Sequence, residues 1–333
     1  MRIGLTYDLQ TDPLDERQAE FDPPRTIEAL CGALEALGHE VVKLGSARSV
    51  LAARSTLCRM DLVFNIAEGS QGRCREAWVP SVLEAWRIPY VGSGPTALAL
   101  GLDKVASKKL AVASGVPTPP WVAVNHPDDC PTTLPFDGPA IVKPRYEGSG
   151  MGIDEEALVP DRQGVTARAQ ALFARWHEPI LVEQFMPHGE LTVCVIGNNP
   201  PIAYPAIQRP IDRRTRLSYH VLKRPEPGSW LTPLQLDEAL DAEARRLALA
   251  MFMAVGCRDV ARVDLRVDDA GHPWFLEINP LPSFDPEGSL GLLAEYLGLT
   301  YTDLIGRILD AARCRLAGSP RPLEAARLRD GRS

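Results

Sequence analysis

The stretch that decides the fold runs from Ala261 to Asn279 and reads Ala-Arg-Val-Asp-Leu-Arg-Val-Asp-Asp-Ala-Gly-His-Pro-Trp-Phe-Leu-Glu-Ile-Asn. Two runs that alternate apolar and polar residues flank a segment rich in Asp and Gly, a pattern typical of a β-hairpin. Side chains two positions apart in a strand share a face of the sheet. The stretch therefore predicts two antiparallel strands joined by a turn at Ala270-Gly271.

In this register four polar side chains project from one face, with Asp264 opposite Glu277 and Arg262 opposite Asn279. Two carboxylates and a carboxamide oxygen side by side suit a hard divalent cation such as Mg²⁺. Carboxylates this close together repel each other unless a cation lies between them. The polar face of an exposed edge hairpin would explain the same pattern. However, the following Pro280-Leu281-Pro282-Ser283 is unusual for a plain strand end and favours a site.

The composition is that of an ordinary globular protein with two or three domains. The chain has 333 residues, of which 24% are charged and 45% are hydrophobic. The net charge of -7 gives no general attraction to nucleic acid. The seven cysteines include no Cys-x-x-Cys pair, which favours free thiols in a reducing cytoplasm. No apolar run is long enough to cross a bilayer and the first residues resemble a strand, so we expect neither a membrane partner nor a signal peptide.

The N-terminal part of the chain alternates strand patterns with helical periodicity. Strands are predicted at 2–7, 40–44, 61–67 and 89–91, and helices at 26–37, 47–58 and 76–86. This alternation predicts an α/β fold class, a doubly wound unit with a parallel sheet. Ligands of such units collect at the carboxyl ends of the strands, here Tyr7–Asp8, Asn65–Glu68 and Gly92–Ser93. The acidic connection from Leu9 to Pro24 is expected to fold over that edge.

The rest of the chain mixes short strands with helices. Strands are predicted at 121–124, 140–144, 180–185 and 190–196, and helices from Pro95 and at 103–114, 165–176, 236–255, 289–297 and 301–316. Residues 205–233 have little periodicity and predict a long functional loop. The tail after Ala317 is rich in Pro and Arg and is predicted to be disordered.

A glycine-rich segment after a predicted strand is a candidate phosphate-binding loop. Glycines at 148, 150 and 152 surround Ser149, so successive backbone N–H groups can approach phosphate oxygens. Lys143, on the preceding strand, would add a positive charge. The spacing is neither the Walker nor the Rossmann pattern, and a plain hairpin turn is the competing interpretation.

Two other segments are candidates for binding a nucleotide. Lys104 lies in the first turn of a predicted helix, where the macrodipole disfavours a cation, so it is either solvated or matched to an anion. The strand Val182–Met186 leaves its sheet and can present backbone groups to an adenine ring. Glu190 follows after a turn and can accept hydrogen bonds from ribose hydroxyls. As solvent-facing strand residues, Glu183 and Glu190 would need no ligand.

These segments occur together and in order, and as an ordered set they resemble the ATP-grasp superfamily, in particular the D-alanine–D-alanine ligases. The matching runs are Val91-Gly92-Ser93-Gly94, Leu102-Asp103-Lys104, Val142-Lys143-Pro144, Glu147-Gly148-Ser149, Val182-Glu183, Gly189-Glu190-Leu191-Thr192-Val193, Ala261-Arg262-Val263-Asp264 and Phe275-Leu276-Glu277-Ile278-Asn279. The resemblance implies an ATP-grasp fold behind a Rossmann-like N-terminal domain. Its implied divisions are a substrate domain at 1–94, a central subdomain at 95–181, a metal-binding C-terminal subdomain at 182–316 and a tail at 317–333.

The resemblance also implies the cofactors and their ligands. ATP would lie between the central and C-terminal subdomains, with two Mg²⁺ ions, or Mn²⁺ in their place. The implied ATP contacts are Lys104, Lys143, Glu147, Gly148, Ser149, Gly150, Glu183, Gln184, Met186 and Glu190. The implied metal ligands are Asp264, Glu277 and Asn279, and the implied catalytic residues are Arg262, Ser149 and Tyr219. Transfer of the γ-phosphoryl group to a carboxylate makes an acylphosphate, which an amine then attacks.

The substrate end departs from the family pattern. Thr6-Tyr7-Asp8-Leu9-Gln10 follows the first strand where the ligases carry a Glu for the first substrate's ammonium, so Glu20 or Asp22 would be a stand-in. The stretch Glu68–Glu76 replaces a His-Gly stretch, and Glu68 is a candidate for binding the substrate. Within this stretch two arginines, Arg73 and Arg75, stand where acids would be and are candidates as well. They suggest an extra carboxylate on one substrate, or else a solvated helix start.

Candidates for the second substrate lie after the hairpin. In the ligase family, the last metal ligand is usually followed by Thr-x-Pro-Gly. In this chain it is followed by Pro280-Leu281-Pro282-Ser283. Ser283, Ser289 and Leu290 are the candidates for holding the second substrate's carboxylate. In the predicted loop at 205–233, the candidates are Tyr219 and Lys223.

We therefore predict a cytoplasmic, homodimeric ligase that uses ATP to join two amino acids. A different amino acid, a small peptide or a natural-product substrate is the alternative within this class. A nucleotide-binding protein without ligation is a second hypothesis, but a mere binder has no need of Arg262. A dinucleotide-dependent oxidoreductase lacks the Gly-x-Gly-x-x-Gly turn after its first strand. We expect small-molecule partners and no nucleic acid.

Overall fold

The computed structural model describes residues 1–218, 228 and 230–318 of the chain. This part contains three sheets of four or five strands and a separate two-stranded ribbon. None of the helices in these ranges is long and apolar enough to cross a membrane. Tyr219 and Lys223 lie outside the described residues, as does most of the predicted tail, and Ala317 ends the last helix.

The N-terminal sheet has the predicted parallel α/β topology. Its elements are β1 (Arg2–Thr6), α1 (Pro24–Ala36), β2 (Glu40–Gly45), α2 (Ala47–Ala52), α3 (Arg54–Leu57), β3 (Leu62–Asn65), α4 (Trp78–Ala85) and β4 (Tyr90–Val91), with 3-10 turns at Glu16–Gln18 and Arg75–Ala77. The strand order is β2-β1-β3-β4, and all three pairings are parallel. The helix predicted at 47–58 is two helices instead, because the backbone at Ala53 leaves helical geometry between them.

The middle of the chain forms an antiparallel sheet. Its elements are α5 (Pro95–Leu102), α6 (Lys104–Ala113), β5 (Trp121–Val124), β6 (Ala140–Pro144), β7 (Leu158–Val159), α7 (Arg162–Trp176) and β8 (Ile180–Gln184), with 3-10 turns at Pro127–Asp129 and Glu155–Ala157. The strand order is β5-β8-β6-β7, and α7 covers one face. The division expected between residues 181 and 182 falls inside β8, which pairs with both β5 and β6.

The C-terminal sheet contains the hairpin. The elements are β9 (Gly189–Ile196), β10 (Ile202–Ala203), β11 (Ile207–Arg209), β12 (Ile211–Asp212), β13 (Trp230–Leu231), α8 (Glu238–Val255), β14 (Val260–Val267), β15 (Pro273–Asn279), α9 (Ser289–Tyr296) and α10 (Tyr301–Ala317). The order is β10-β9-β14-β15, with β11 also on β9. The loop predicted at 205–233 is therefore wrong in part, because β11 extends the sheet and β12 pairs with β13.

The helices connect the three sheets in a way that the order of segments does not predict. Helices α5 and α6 pack on the C-terminal sheet together with α8, although they precede the middle sheet in sequence. Helix α10 packs against α1 on the N-terminal sheet, where Leu304, Ile305 and Ile308 join one core with Leu30 and Leu34. The same core contains Cys194 and Val260 of the hairpin sheet, so α10 links the N-terminal sheet to the hairpin sheet.

Candidate active site

The hairpin has the predicted register at its polar end. Strand β14 pairs with β15 so that Arg262 faces Asn279 and Asp264 faces Glu277. A register shift between Asp264 and Leu265 follows, so the strands nearer the turn are offset by one residue from the prediction. The bulge leaves the four polar residues in their predicted pairing, and this part of the prediction is confirmed.

Two adjoining cavities meet at this hairpin face. The larger has a volume of about 710 Å³ and extends from the hairpin to the end of β8. The smaller has a volume of about 290 Å³ and extends toward the N-terminal sheet. Lys104, Ser149, Arg262 and Glu277 line both cavities, so they mark the point where the two spaces join.

Asp264 is the centre of a hydrogen-bond network on the hairpin face. The Arg262 guanidinium donates to both of its carboxylate oxygens, with Nε at 3.1 and 3.0 Å. Thr192 Oγ1 donates to Oδ1 at 2.6 Å and Asn279 Nδ2 donates to Oδ2 at 3.1 Å. Although burial opposes a charge here, Asp264 raises the pKa of Arg262 above its ordinary value. The Arg262 guanidinium therefore stays charged at the junction of the cavities.

Glu277 remains ionised beside this network. Its carboxylate lies 3.6 Å from Lys104 Nζ. Burial alone would raise the pKa of Glu277, but Lys104, Lys143 and Arg262 outweigh it and lower that pKa to about 2. The carboxylates of Glu277 and Asp264 with the adjacent carboxamide form a donor set that fits a divalent cation. Among the described residues no three His, Cys, Asp or Glu side chains form a metal site, so the third protein ligand would have to be Asn279.

A buried lysine that the sequence analysis missed lies behind the groups expected to face a nucleotide. Lys108 is fully buried, donates to Thr118 Oγ1 at 2.6 Å and forms an ion pair with Glu183. Lys143 donates to the other oxygen of Glu183 at 3.1 Å. The solvent-facing alternative for Glu183 is therefore wrong, since two lysines neutralise this carboxylate in the interior. Lys108 could have been found from its spacing, because it follows Lys104 by four residues on one helix.

Glu190 is also buried, and its partner is a second residue that sequence reasoning missed. Arg266 Nη1 donates to Glu190 Oε2 at 3.1 Å, and Ser218 Oγ donates to the same oxygen. Arg266 Nε also donates to the Met186 carbonyl at 2.8 Å. The solvent-facing alternative for Glu190 is therefore wrong. The sequence contained a cue for Arg266, because it lies two residues beyond Asp264 and so shares its face of the strand. In the structure it pairs across the sheet with Glu190.

The remaining residues expected at the adenine end line the larger cavity. They are Glu183, Gln184, Met186 and Glu190, joined by Ile141, Phe185 and Leu217, which were not predicted. The Arg266 guanidinium lies 4.9 Å from the centre of the Phe185 ring. This end of the cavity is thus apolar with a charged rim, which suits an aromatic base attached to a polar sugar.

The glycine-rich loop lies beneath the acidic connection from the N-terminal sheet. Lys104 Nζ donates to the Glu147 carbonyl at 2.6 Å, and Ser149 has a positive φ of 47°. The Gly148 N–H donates to Glu20 at 2.9 Å and the Gly152 N–H donates to Glu16 at 3.2 Å. The predicted fold of this connection over the sheet edge is therefore confirmed, and it reaches as far as the loop. Glu147, Gly148, Ser149 and Gly150 all line the larger cavity.

The two arginines at the substrate end have protein partners. Arg75 donates to Glu20 at 2.7 Å and to Glu147 at 3.3 Å, and all three side chains are largely buried. Arg73 lies over the ring of Tyr146, 5.1 Å from its centre. Neither arginine lines either cavity in the described residues. The extra substrate carboxylate that they suggested therefore has no support from their positions.

The other substrate candidates divide between the cavities. Glu20 and Glu68 line the smaller cavity, Ser283 lines both, and Ser289 lines the larger one. Leu290 lines neither, because its side chain is fully buried in the core beneath α9. Its role in holding the second substrate's carboxylate stays a prediction. Glu76 also lines the smaller cavity, although the sequence analysis did not single it out as a ligand.

Comparison with known proteins identifies the family. A family model described as the D-ala D-ala ligase C-terminus matches residues 110–310, more than half of the chain. The chain belongs to the D-alanine–D-alanine ligase family. It is similar to a D-alanine–D-alanine ligase of Syntrophotalea carbinolica, with 34% identity over 87% of this chain and 91% of the relative. It is also similar to the uncharacterised protein y4sG of Sinorhizobium fredii, with 31% identity over 89% of each chain.

The fold agrees with this membership. The chain is similar to the crystal structure of D-alanine–D-alanine ligase from Bacillus anthracis complexed with ATP, with a TM-score of 0.73 and 22% identity. The match covers 96% of this chain and 99% of that structure. The ATP-grasp fold predicted from the ordered motifs is therefore confirmed, and this D-alanine–D-alanine ligase family member has the fold over nearly its whole length.

Proposed function

We propose that this protein is an ATP-dependent ligase that joins the carboxyl group of one amino acid to the amine of another through an acylphosphate. The observation that supports it best is the junction of two cavities at Lys104, Arg262 and Glu277. One cavity has the size and lining expected for a nucleotide. The other begins where a transferred phosphoryl group would arrive, which is what an acid activated by ATP requires.

ATP would occupy the larger cavity with its adenine at the Gln184–Met186 segment and its ribose at Glu190. Its phosphates would extend toward Lys143, Lys104 and the loop at 148–150. Asp264, Glu277 and Asn279 would hold Mg²⁺, whose role when bound is to neutralise charge on the phosphates. The Lys108–Glu183 ion pair would hold Glu183 in place beside Lys143, which faces the phosphates. The Glu190–Arg266 ion pair would hold Glu190 in place beside the ribose.

The chemistry needs charge stabilisation and positioning and no protein nucleophile. A carboxylate oxygen of the donor forms a bond to the γ-phosphorus, and the bond from that phosphorus to the β-γ bridging oxygen breaks as ADP leaves. The acceptor amine then forms a bond to the acyl carbon, and phosphate departs with the electron pair of the C–O bond while the nitrogen loses a proton. Arg262 would stabilise the oxyanion of that second step, because Asp264 holds its guanidinium at the cavity junction.

The cellular setting is also part of the proposal. All seven cysteines are free thiols in the structure, which suits the reducing cytoplasm. A homodimer is proposed from the family resemblance. D-alanine is the first substrate to test at both positions, and a different amino acid is the second candidate, since Glu68 and Glu76 replace the family's sequence at the smaller cavity.

The test is a phosphate-release screen with Mg-ATP across pairs of D- and L-amino acids, with products identified by mass. Amine-dependent ADP formation is expected, and Glu277→Ala should abolish it. Glu295→Ala is the matched control, since Glu295 is exposed on α9 and lines neither cavity. Tight ATP binding without turnover on any acid would instead support the non-ligating nucleotide-binding protein.

A further inference from the structure

The smaller cavity is lined by three carboxylates that form no ion pair with the described residues. Asp22, Glu68 and Glu76 all line it. Asp22 is 7% exposed and Glu76 is 8% exposed, so both are more than nine-tenths buried. Within the described ranges, no donor forms a hydrogen bond to these three carboxylates and no cation forms an ion pair with them. From a greater distance, Arg75 acts on Glu68 and Glu76, and Lys104 acts on Glu76.

The other acids around the same cavity are already neutralised. Glu20 pairs with Arg75 at 2.7 Å, and Asp285 pairs with Arg25 at 2.8 Å. Glu277 has Lys104 at 3.6 Å and faces the proposed metal position. The unpaired carboxylates are therefore a separate group, on the wall that is formed by the N-terminal sheet and its acidic connection.

Leaving such groups unpaired in the interior is costly. Burial, with repulsion from Glu20, raises the pKa of Glu76 to about 8. Burial, with repulsion from Asp285, raises the pKa of Asp22 to about 8. Buried charges in folded proteins are normally paired or neutralised. A cation supplied by a ligand would offset both the free-energy cost of burying these carboxylates and the repulsion between them.

We propose that the donor amino acid carries a second cationic group and is a diamino acid, whose side-chain ammonium binds among Asp22, Glu68 and Glu76. This inference rests on the proposed ligase function. A monoamino acid brings one ammonium to this wall, whereas a diamino acid brings two. Its carboxyl group would lie at the opposite wall, where Lys104 and Arg262 meet the nucleotide cavity.

The three carboxylates suit binding of the donor amino acid and disfavour binding of the acceptor amine in the smaller cavity. The acceptor amine must be neutral to attack the acylphosphate, and neighbouring carboxylates would stabilise its protonated form. The amines of the donor do not react, so their protonation costs nothing in the chemical step. The carboxylates therefore select a donor by charge without slowing the attack.

The test compares donors of equal length that differ in the terminal group. Ornithine is matched with norleucine, and 2,4-diaminobutyrate with norvaline, in both enantiomers and with alanine as acceptor. We expect kcat/KM for the diamino donor to exceed that of its apolar match by about tenfold or more. In Glu76→Gln and Glu68→Gln that ratio should fall by about tenfold, while the exposed control Glu295→Gln keeps the wild-type ratio.

Calorimetry with Mg-ADP present decides the binding step separately from turnover. Tighter binding of ornithine than of norleucine, lost in Glu76→Gln, supports the inference even for a variant with low activity. Equal affinities, or turnover of alanine or norleucine as good as that of the diamino acids, would overturn it while the ligase proposal stands. Failure of every acid to give amine-dependent ADP would defeat the ligase proposal, and the calorimetric comparison would still decide which ligand the cavity accepts. Thermal melting of each variant separates misfolding from lost recognition.

Discussion

The carboxylate of Glu20 accepts the backbone N–H of Gly148 at 2.9 Å, and these two residues are 128 positions apart in the chain. The other oxygen of Glu20 accepts from Arg75 at 2.7 Å. The acidic connection that follows β1 is thereby joined to the glycine-rich loop of the middle sheet. A change in this connection is therefore expected to affect both the wall of the smaller cavity and the glycine-rich loop that lines the larger cavity.

Removing Glu20 should destabilise the protein more than removing an exposed acid. Its side chain is 9% exposed and that of Arg75 is 6% exposed, so Glu20→Ala leaves a buried guanidinium with only Glu147. The free energy of unfolding should fall by roughly 3 kcal/mol, as expected when one partner of a buried pair is lost. Urea denaturation measures it.

The control for Glu20 is Glu40→Ala, which removes an exposed pair. Glu40 bonds Arg2 at 3.0 Å, but its side chain is 66% exposed. The cost there should be below about 1 kcal/mol. Equal losses in the two variants would show that the Glu20–Arg75 pair contributes no more than a surface contact.

Arg262→Lys should lower kcat and leave nucleotide binding close to wild type. Lysine keeps the charge but cannot donate to both oxygens of Asp264 while facing the cavity junction. We expect kcat to fall by about 100-fold, the scale of losing one oxyanion donor. Steady-state kinetics gives kcat, and titration with a fluorescent ATP analogue gives affinity. A proportional loss of affinity would place the arginine in nucleotide binding instead.

Lys108→Met should weaken ATP binding although Lys108 lines neither cavity in the described residues. The change leaves buried Glu183 with Lys143 as its remaining cation, so the positions of Glu183 and Lys143 would be less well fixed. We expect the KM for ATP to rise by about tenfold, with a smaller change in kcat. Lys109→Met, a neighbouring exposed lysine, is the control. An unchanged KM in Lys108→Met would mean that Lys143 alone fixes Glu183.

The stability of the ligand-free protein should fall as pH rises from about 5 to 8. The pKa of Glu76 is about 8 in the folded protein, against an ordinary value of 4.5. The folded state then holds a proton that the unfolded state has already released, so the stabilisation is complete at acid pH and is lost as pH passes the folded-state pKa. Urea midpoints at pH 5 and pH 8 measure the difference.

Glu76→Gln should reduce that pH dependence, because glutamine does not titrate. The difference between the two midpoints should shrink in this variant and remain in the exposed control Glu295→Gln. A wild-type protein that is more stable at pH 8 than at pH 5 would contradict the proposed state of these carboxylates.

Local periodicity was enough to predict the hairpin and the longer strands of each sheet, but it did not predict the short strands β7, β10, β11, β12 and β13. The pairing of Asp264 with Glu277 follows from alternation and turn position, because strand neighbours across a hairpin are close in sequence. The order of motifs likewise identified the ATP-grasp fold. The bulge after Asp264 was not predicted, but it lies beyond the four polar residues and leaves their register intact.

The sequence by itself thus determined which side chains bear the charge and which strands present them. Only the tertiary structure decided their partners. Arg75 is neutralised by Glu20, Glu183 is held by Lys108 and Lys143, and Leu290 is buried in the core. These outcomes depend on contacts between segments far apart in the chain, and no local period encodes which distant segment packs against which. For the same reason, the unpaired carboxylates of the smaller cavity can be recognised only once the partners of Glu20, Glu277 and Asp285 are known.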